Sequence, residues 1–362
     1  MARIATVYST RFRAPLKPCT MDTVRWMRIS EAFARLGHEV DIITRSAEPE
    51  QRIAENLRYV DVKSVRWSDY DMVKTFFHSG FDLLERLGGA DHPFIISKLG
   101  SVVGSHDDVA GVYFYDDVRE KLFATQQKIA CKSRLITILT AESTQLWVEE
   151  HGRAEDVLLL PTGVDEILPG KLPNPYAAFG EKIVVYVGNL YDMASGQRKV
   201  NVLWQTRLTS IGRILRQRGI RLVVIGPGES DLLDAEAVTY LGPIDNEKIY
   251  AYKYHADAGL VLAQGDVQHN ESSKIYEYLR SGLPVVSEGP VPNNAVILQA
   301  GLGYVADFMD DNHISSLLER AVNAQWDRQA AMAYMVENHT WDRRVAVYHS
   351  IIGSRRCGLE SV

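Results

Sequence analysis

The chain lacks several features that would assign it to well-known classes of proteins. Its 362 residues include three cysteines, and Cys19, Cys131 and Cys357 are isolated, without CxxC or Cys/His ligand spacing. A disulfide framework and a zinc site are therefore not expected, and a reducing compartment is the simplest interpretation. There is also no run of about 18 apolar residues, the length that a membrane-spanning helix needs. We expect a cytoplasmic protein that is at most peripherally associated with the inner face of a membrane.

Charge and short motifs exclude further classes. The net charge of −6 argues against a general nucleic-acid-binding protein, because such binding depends on clustered Lys and Arg. The patterns GxxxxGK[ST], HExxH and GxSxG do not occur, so the usual signatures of P-loop enzymes, zincins and α/β hydrolases are missing. Residues 226–228, Gly-Pro-Gly, follow a predicted strand, but Asp231 stands where a dinucleotide fingerprint has its third glycine. A tight turn is therefore expected there rather than an NAD site.

The composition is that of an ordinary globular protein, with 46% hydrophobic and 24% charged residues, and the length suits two α/β domains. Trp26, Ile29, Phe33 and Leu36 recur at helical spacing until Gly37 between two apolar runs, which predicts a strand–helix–strand unit of a parallel sheet. Further buried strands are predicted along the first part of the chain. With the first two, they span residues 4–8, 40–44, 72–77, 94–97, 111–115, 135–139 and 157–160.

A segment rich in Pro and Gly, residues 161–175, interrupts this alternation and predicts an interdomain linker. A second series of strands follows, at 183–188, 222–225, 238–241, 258–262 and 284–287, with a helix over 201–218. The fold class expected is α/β, with two Rossmann-like doubly wound domains facing across a cleft, over residues 1–165 and 166–340. The apolar stripe of Trp341, Val345, Tyr348 and Ile352 predicts a terminal helix, 341–362, that packs back on the first domain.

The segment that carries the chemistry spans residues 258–287 and reads AGLVLAQGDVQHNESSKIYEYLRSGLPVVS. It predicts a strand, a polar loop, a helix that opens near Ser272, and another strand. The helix amino terminus, at Ser272, Ser273 and Lys274, is suited to a diphosphate because its free N–H groups and dipole favour anions. Glu277 lies one turn further along the same face as Ser273, where its carboxylate can accept both ribose hydroxyls. The simpler alternative is that Ser273 only caps the helix and that Lys274 and Glu277 form a solvent-facing ion pair.

The run SSKIYEYLRSGLPVV resembles the signature of retaining glycosyltransferases of the GT-B fold, in particular glycosyltransferase family 4. Other segments resemble that family in the same order: ARLGHEVDIIT, LLLPTGVD, YVGN, VVIGPGE, VTYLGPIDNEKIYAYKYHADAGLVLA and WDRRVAVYHSII. The resemblance is thin between residues 49 and 134 and covers most of the rest. It implies transfer of a hexose, of glucose or mannose type, from a nucleotide diphosphate sugar to a glycan or lipid-linked acceptor in polysaccharide or glycolipid biosynthesis. It also implies a metal-independent, retaining front-face reaction without a cofactor.

The resemblance assigns roles to individual residues. Lys199, with Arg198 as a substitute, and Lys274 would neutralise the diphosphate, while Glu277 would hold the ribose. The remaining nucleotide-site residues expected are Gly188, Asn189, Gly226, Gly242, Pro243, Ile244, Glu271, Ser272 and Ser273. Among these, backbone near Gly242, Pro243 and Ile244 would contact the base. UDP is weakly favoured over GDP.

The sequence departs from the family pattern at several positions. The family's second glutamate would fall on His269, with Glu271 as the nearest carboxylate, and Asn189 stands where the family has Arg. The usual glycine pair after the first strand is replaced by residues 13–20. These departures leave two alternatives open, a non-catalytic nucleotide-sugar-binding scaffold on the same fold and a nucleotide-sugar epimerase or phosphorylase.

Two other motifs have simpler interpretations. Residues 69–71, Asp-Tyr-Asp, resemble the metal-binding DxD of a different transferase fold, but they lie where a strand begins, and no metal site is expected. His78 and Ser79 follow a predicted strand and could contact the acceptor, although a lone histidine is more often a structural hydrogen-bonding group.

The first thirty residues contain a basic cluster that faces only one acidic residue, Asp22. Its members are Arg3, Arg11, Arg13, Lys17, Arg25 and Arg28. In an acidic chain this suggests attraction of an anionic acceptor, or of the anionic membrane surface that carries one, and a solvated basic helix face is the alternative that stays open.

Overall fold

The computed structural model of the chain describes residues 1–17, 20–105, 116–170, 172–190, 198–265 and 268–356. Two compact units are present. The first comprises Met1–Ser105, Glu120–Gly163 and Thr340–Val362, and the second comprises His106–Arg119 and Val164–His339. The strand predicted over 111–115 lies outside the described residues.

The first unit is built on an eight-stranded sheet. Its strands are β1 (Arg3–Val7), β2 (Glu39–Thr44), β3 (Glu50–Ala54), β4 (Leu57–Asp61), β5 (Met72–Phe76), β6 (Ile95–Lys98), β7 (Leu135–Ile138) and β8 (Val157–Leu159). Its helices include α1 (Met21–Arg35), α2 (Phe77–Arg86), α3 (Asp116–Lys132) and α4 (Ala141–His151). The strand order is β3-β4-β2-β1-β5-β6-β7-β8. All neighbours pair in parallel except β3, which is antiparallel to β4.

The second unit is built on a six-stranded parallel sheet. Its strands are β9 (Lys182–Val187), β10 (Ile220–Ile225), β11 (Val238–Tyr240), β12 (Ala258–Val261), β13 (Val285–Glu288) and β14 (Gly303–Ala306). Its helices are α5 (Arg198–Gln217), α6 (Asn246–His255), α7 (Ser273–Arg280), α8 (Asn294–Ala300), α9 (Asp311–Asn323) and α10 (Arg328–His339). The strand order is β11-β10-β9-β12-β13-β14, which is the 3-2-1-4-5-6 order of doubly wound nucleotide-binding sheets.

Both faces of this second sheet are covered, as the apolar strand sequences require. In β9, Ile183 and Val185 belong to one core cluster, while Val184 and Tyr186 belong to the cluster on the other face. Because successive residues of a strand point to opposite faces, an uninterrupted apolar run needs cover on both sides. Helices such as α7 on one face and α5 on the other provide that cover.

The last helix, α11 (Trp341–Arg356), packs in the first unit. Trp341, Val345 and Tyr348 are buried in one cluster with the apolar face of α1, as their spacing predicts, and the Arg35 guanidinium lies 2.5 Å from the Asp342 carboxylate. The side chain of Ile352, the fourth member of the predicted stripe, lies outside the described part of the chain. In the ranges that the structure describes, neither α11 nor any other helix is long and apolar enough to cross a membrane.

Among the strands of the described ranges, three were not predicted. In β3, EQRIA, every residue is exposed or only partly buried, so pairing with β4 rather than burial defines it. In β4, LRYVD, charged residues interrupt the apolar positions. In β14, Gly303 adopts a φ of 145° and approaches the backbone of Val285 too closely for any Cβ, a requirement that hydrophobic patterning does not reveal.

Candidate functional site

Several of the predicted nucleotide-site residues follow strands of the second sheet, at the carboxyl edge of that sheet. The strand order reverses between β9 and β12, and ligands of doubly wound sheets bind outside the carboxyl ends of the strands at such a switch point. Gly188 follows β9, Gly226 follows β10, and residues 242–244 follow β11. Helix α7 begins after the loop that follows β12. The loops and the helix end therefore converge where a ligand of this fold is expected.

Glycine makes the close approach of these loops feasible. The Gly226 N–H donates to the Gly242 carbonyl at 3.0 Å, and the Leu190 N–H donates to the Pro227 carbonyl at 2.8 Å. A Cβ at Gly226 would lie 2.0 Å from the Gly188 carbonyl oxygen, and one at Gly228 would lie 1.2 Å from that of Leu190. Both glycines also have positive φ values, 151° and 125°. The chain bends at residues 226–228, where a tight turn was predicted.

At the amino terminus of α7, the backbone of the N-cap residue is hydrogen-bonded by a side chain from another loop. Ser272 is the N-cap, and its hydroxyl makes no capping hydrogen bond. Instead, the Ser272 N–H donates to Asn293 Oδ1 at 2.8 Å, and Asn293 Nδ2 donates to the Ser272 carbonyl at 3.0 Å. The alternative that Ser273 only caps the helix is wrong, because Ser273 is the first helical residue. The first N–H groups of a helix lack intrahelical partners, and Ser273 and Lys274 are the first two residues of α7.

Lys274 places its ammonium beside the loop after β9. A Cβ at Gly188 would lie 2.5 Å from Lys274 Cε, and Lys274 Nζ lies 5.1 Å from the Tyr186 ring centre and 5.6 Å from that of Trp204. Burial against these aromatic rings lowers the pKa of Lys274 to about 8. The solvent-facing ion pair between Lys274 and Glu277, the other simple alternative, is wrong.

Glu277 pairs with a lysine that sequence reasoning missed. Lys253 Nζ, from α6, lies 2.5 Å from Glu277 Oε2, and the two side chains are 8% and 32% exposed. The partners are 24 residues apart on different helices, so no spacing rule connects them. The Glu277 carboxylate is thus held at one oxygen and remains partly accessible to a ligand.

The other predicted residues take varied positions. Glu271 is buried, and its Oε2 accepts a hydrogen bond from the Tyr276 hydroxyl at 3.1 Å. Asn189 and Pro243 are exposed, while Gly242 and Ile244 are partly buried at the same edge. Arg198 and Lys199 begin α5, but their side chains lie outside what the structure describes, and their diphosphate role stays a prediction.

A buried charge cluster supports the loop that leads to α7. Glu288, at the end of β13, is fully buried, accepts from the Ala263 N–H at 2.6 Å and pairs with Arg207 at 2.6 Å. Arg207 also pairs with Asp311 at 2.7 Å. Ala263 lies just beyond β12, so the cluster fixes the point where the ligand-side loop departs from the sheet. Arg207 is 81 residues from Glu288 and 104 residues from Asp311 in the sequence, so no local sequence pattern predicts this cluster.

In the first unit, His78 and residues of the 69–71 motif make hydrogen bonds within the fold. His78 is buried and bonds Gln126 Oε1 at 3.1 Å, and burial lowers its pKa to about 4. Asp71 accepts from the Arg3 N–H at 2.8 Å, and the Tyr70 hydroxyl donates to buried Asp41 at 2.9 Å. Within the described ranges, no group of three or more His, Cys, Asp or Glu side chains is placed to hold a metal ion.

The fold has counterparts among solved structures, although no protein-family model and no curated protein sequence matches the chain. Sucrose-phosphate synthase from Thermosynechococcus elongatus is 13% identical with a TM-score of 0.72, over 99% of this chain and 100% of that one. Alr3699/HepE from Anabaena, in complex with UDP and glucose, is 10% identical with a TM-score of 0.70, over 98% and 100%. An α,α-trehalose-phosphate synthase (UDP-forming) from Burkholderia vietnamiensis is 13% identical with a TM-score of 0.69, over 100% and 99%. These likenesses confirm the predicted fold class: the chain has two parallel-sheet α/β domains and the GT-B architecture of such glycosyltransferases.

Proposed function

We propose that this chain is a retaining glycosyltransferase that transfers a hexose, of glucose or mannose type, from a nucleotide diphosphate sugar to a glycan or lipid-linked acceptor. The observation that carries the proposal is the open amino terminus of α7 at the switch point, with Lys274 on its first turn and Glu277 one turn later. This end of the helix attracts a diphosphate, and Glu277 is suited to the ribose. UDP is weakly favoured over GDP, in keeping with the UDP in the HepE complex.

In the proposed reaction, the protein acts mainly on the leaving group. Negative charge grows on the diphosphate as its bond to the sugar breaks, and the α7 amino terminus with the Lys274 ammonium stabilises that charge. The departing phosphate itself takes the acceptor proton in a front-face substitution. Transition-state stabilisation therefore comes from preorganised charge, and Lys199 with Arg198 would add to it. A metal ion and a cofactor are not part of the proposal.

Nucleoside diphosphates are expected to stabilise the protein against unfolding. At a UDP concentration of about 100 times the dissociation constant, the free energy of unfolding should rise by about 2.7 kcal/mol. Thermal shifts with UDP, GDP and ADP measure this, and uridine is the control because it lacks the diphosphate that α7 would bind. If no diphosphate stabilises the protein, the transferase proposal is wrong.

A non-catalytic scaffold is the second candidate, favoured by Asn189 and His269 at positions where the resembled family has charged residues. Slow release of free hexose from UDP-glucose or GDP-mannose, with no acceptor added, distinguishes the two, because hydrolysis requires a working site. We expect release. Diphosphate binding without any release would favour the scaffold.

The basic segment after β1 is proposed to attract an anionic acceptor or the membrane that carries it. Arg11, Arg13 and Lys17 are exposed, and exposed charge of one sign speeds the encounter with an opposite charge by about tenfold or more at low salt. The triple variant Arg11→Gln, Arg13→Gln, Lys17→Gln should therefore bind phosphatidylglycerol vesicles and transfer to lipid-linked acceptors less well, with unchanged UDP affinity.

A matched triple variant with Gln at Arg213, Arg216 and Lys248, which are exposed in the second unit, is the control. The difference between the two variants should vanish as the Debye length falls to about 3 Å at high salt. Equal behaviour of the two variants at low salt would contradict the proposed role.

A further inference from the structure

Lys253 is a buried lysine whose ammonium forms an ion pair with one carboxylate of the proposed site. Its side chain is 8% exposed, and Nζ lies 2.5 Å from Glu277 Oε2. Glu277 Oε1 has no hydrogen-bond partner among the residues that the structure describes. A charge this buried is costly unless it is paired, so Lys253 has a strong preference for one position of the Glu277 carboxylate.

The position of that carboxylate matters for a ribose. A glutamate side chain has several rotamers, and fixing it on ligand binding costs conformational entropy. The ion pair removes that freedom in advance, because Oε2 is held from α6 while Oε1 stays available. Helix α6 begins directly after residues 242–244, where the base is proposed to lie, so the same short segment would serve both the base and the ribose carboxylate.

We propose that Lys253 is a positioning residue for ribose recognition: it fixes Glu277 so that the carboxylate presents one free oxygen to a ribose hydroxyl. This inference rests on the proposed nucleotide site. The opposing interpretation is that Lys253 only ties α6 to α7 and contributes stability. The two interpretations differ in one measurable quantity, the preference for a nucleotide with both ribose hydroxyls over one that lacks a hydroxyl.

The experiment compares UDP, 2′-deoxy-UDP and 3′-deoxy-UDP by calorimetry. In the wild type, loss of the hydroxyl that bonds Glu277 should weaken binding by about 10- to 100-fold, the range for a hydrogen bond to a charged group. In Lys253→Met this ratio should fall close to unity, because UDP loses affinity while the deoxy nucleotide does not. If the Met variant is unstable, the same affinity ratio is measured in Lys253→Gln, which keeps a polar group at the end of the side chain.

The matched control is Lys248→Met, since Lys248 lies on the same helix, its side chain is 73% exposed, and its Nζ lies 3.8 Å from the Asp245 carboxylate. This variant should keep the wild-type ratio. A folded Lys253 variant that also keeps the ratio, and binds UDP and deoxy-UDP equally less well, overturns the positioning role and leaves a structural one. Failure of the wild type to bind any nucleoside diphosphate would instead overturn the proposed function itself.

Discussion

Glu277→Gln is expected to weaken UDP binding by about 10- to 100-fold, the equivalent of 1.5–3 kcal/mol for hydrogen bonds to a charged group. The substitution keeps the size of the side chain and an oxygen that can still accept from Lys253, so the fold should survive. What it removes is the carboxylate charge, which the proposed bonds to ribose hydroxyls need. Isothermal titration calorimetry with UDP measures the effect directly.

Glu319→Gln is the matched control for this prediction. Glu319 pairs with Arg218 at 2.9 Å and is 45% exposed, so the variant loses a comparable ion pair in the same unit, away from the carboxyl edge of the sheet. UDP affinity should stay at the wild-type value in Glu319→Gln. Equal UDP affinities in the Glu277 and Glu319 variants would show that the ribose assignment is wrong.

The framework of the second unit was predictable apart from β14, because strands such as β9 and β10 are mostly apolar. The runs KIVVYV in β9 and IRLVVI in β10 need burial on both faces, and parallel sheets with helices on both sides provide it. The predicted opening of a helix near Ser272 is also confirmed, since α7 begins at Ser273. Local signals such as these depend on neighbouring residues, which a sequence displays directly.

Partners from distant segments were not predictable. The hydrogen bond between Asn293 and Ser272 joins residues 21 positions apart, and the ion pair between Lys253 and Glu277 joins residues 24 positions apart. These residues meet because α6, α7 and the loop after β13 pack together. Lys74 presents the same difficulty inside β5. It is fully buried, donates to Thr137 at 3.0 Å, and has its pKa lowered by burial and by Lys98, although its strand was predicted from the surrounding apolar residues alone.

The pH dependence of nucleotide binding should report on Lys274. Burial lowers the pKa of this lysine to about 8 in the free protein, whereas a bound diphosphate favours the ammonium and raises that pKa. Binding UDP therefore takes up a proton above pH 8. Affinity should be nearly constant from pH 7 to 8 and then fall by about tenfold per pH unit, because one bound proton changes the binding free energy by 1.36 kcal/mol per unit.

Stability should change in the opposite direction over the same range, which separates a binding effect from unfolding. The pKa of Lys274 is lower in the folded protein than in the unfolded chain, where a lysine has its ordinary value of 10.5, so between these values the unfolded chain binds more protons. The contribution of Lys274 to the free energy of unfolding therefore increases as pH rises through this window. Lys274→Met should bind UDP more weakly below pH 8 and lose the decline above it. Calorimetry from pH 7 to 9.5 on both proteins measures this, and a decline of equal slope in Lys274→Met would assign the titration to another group.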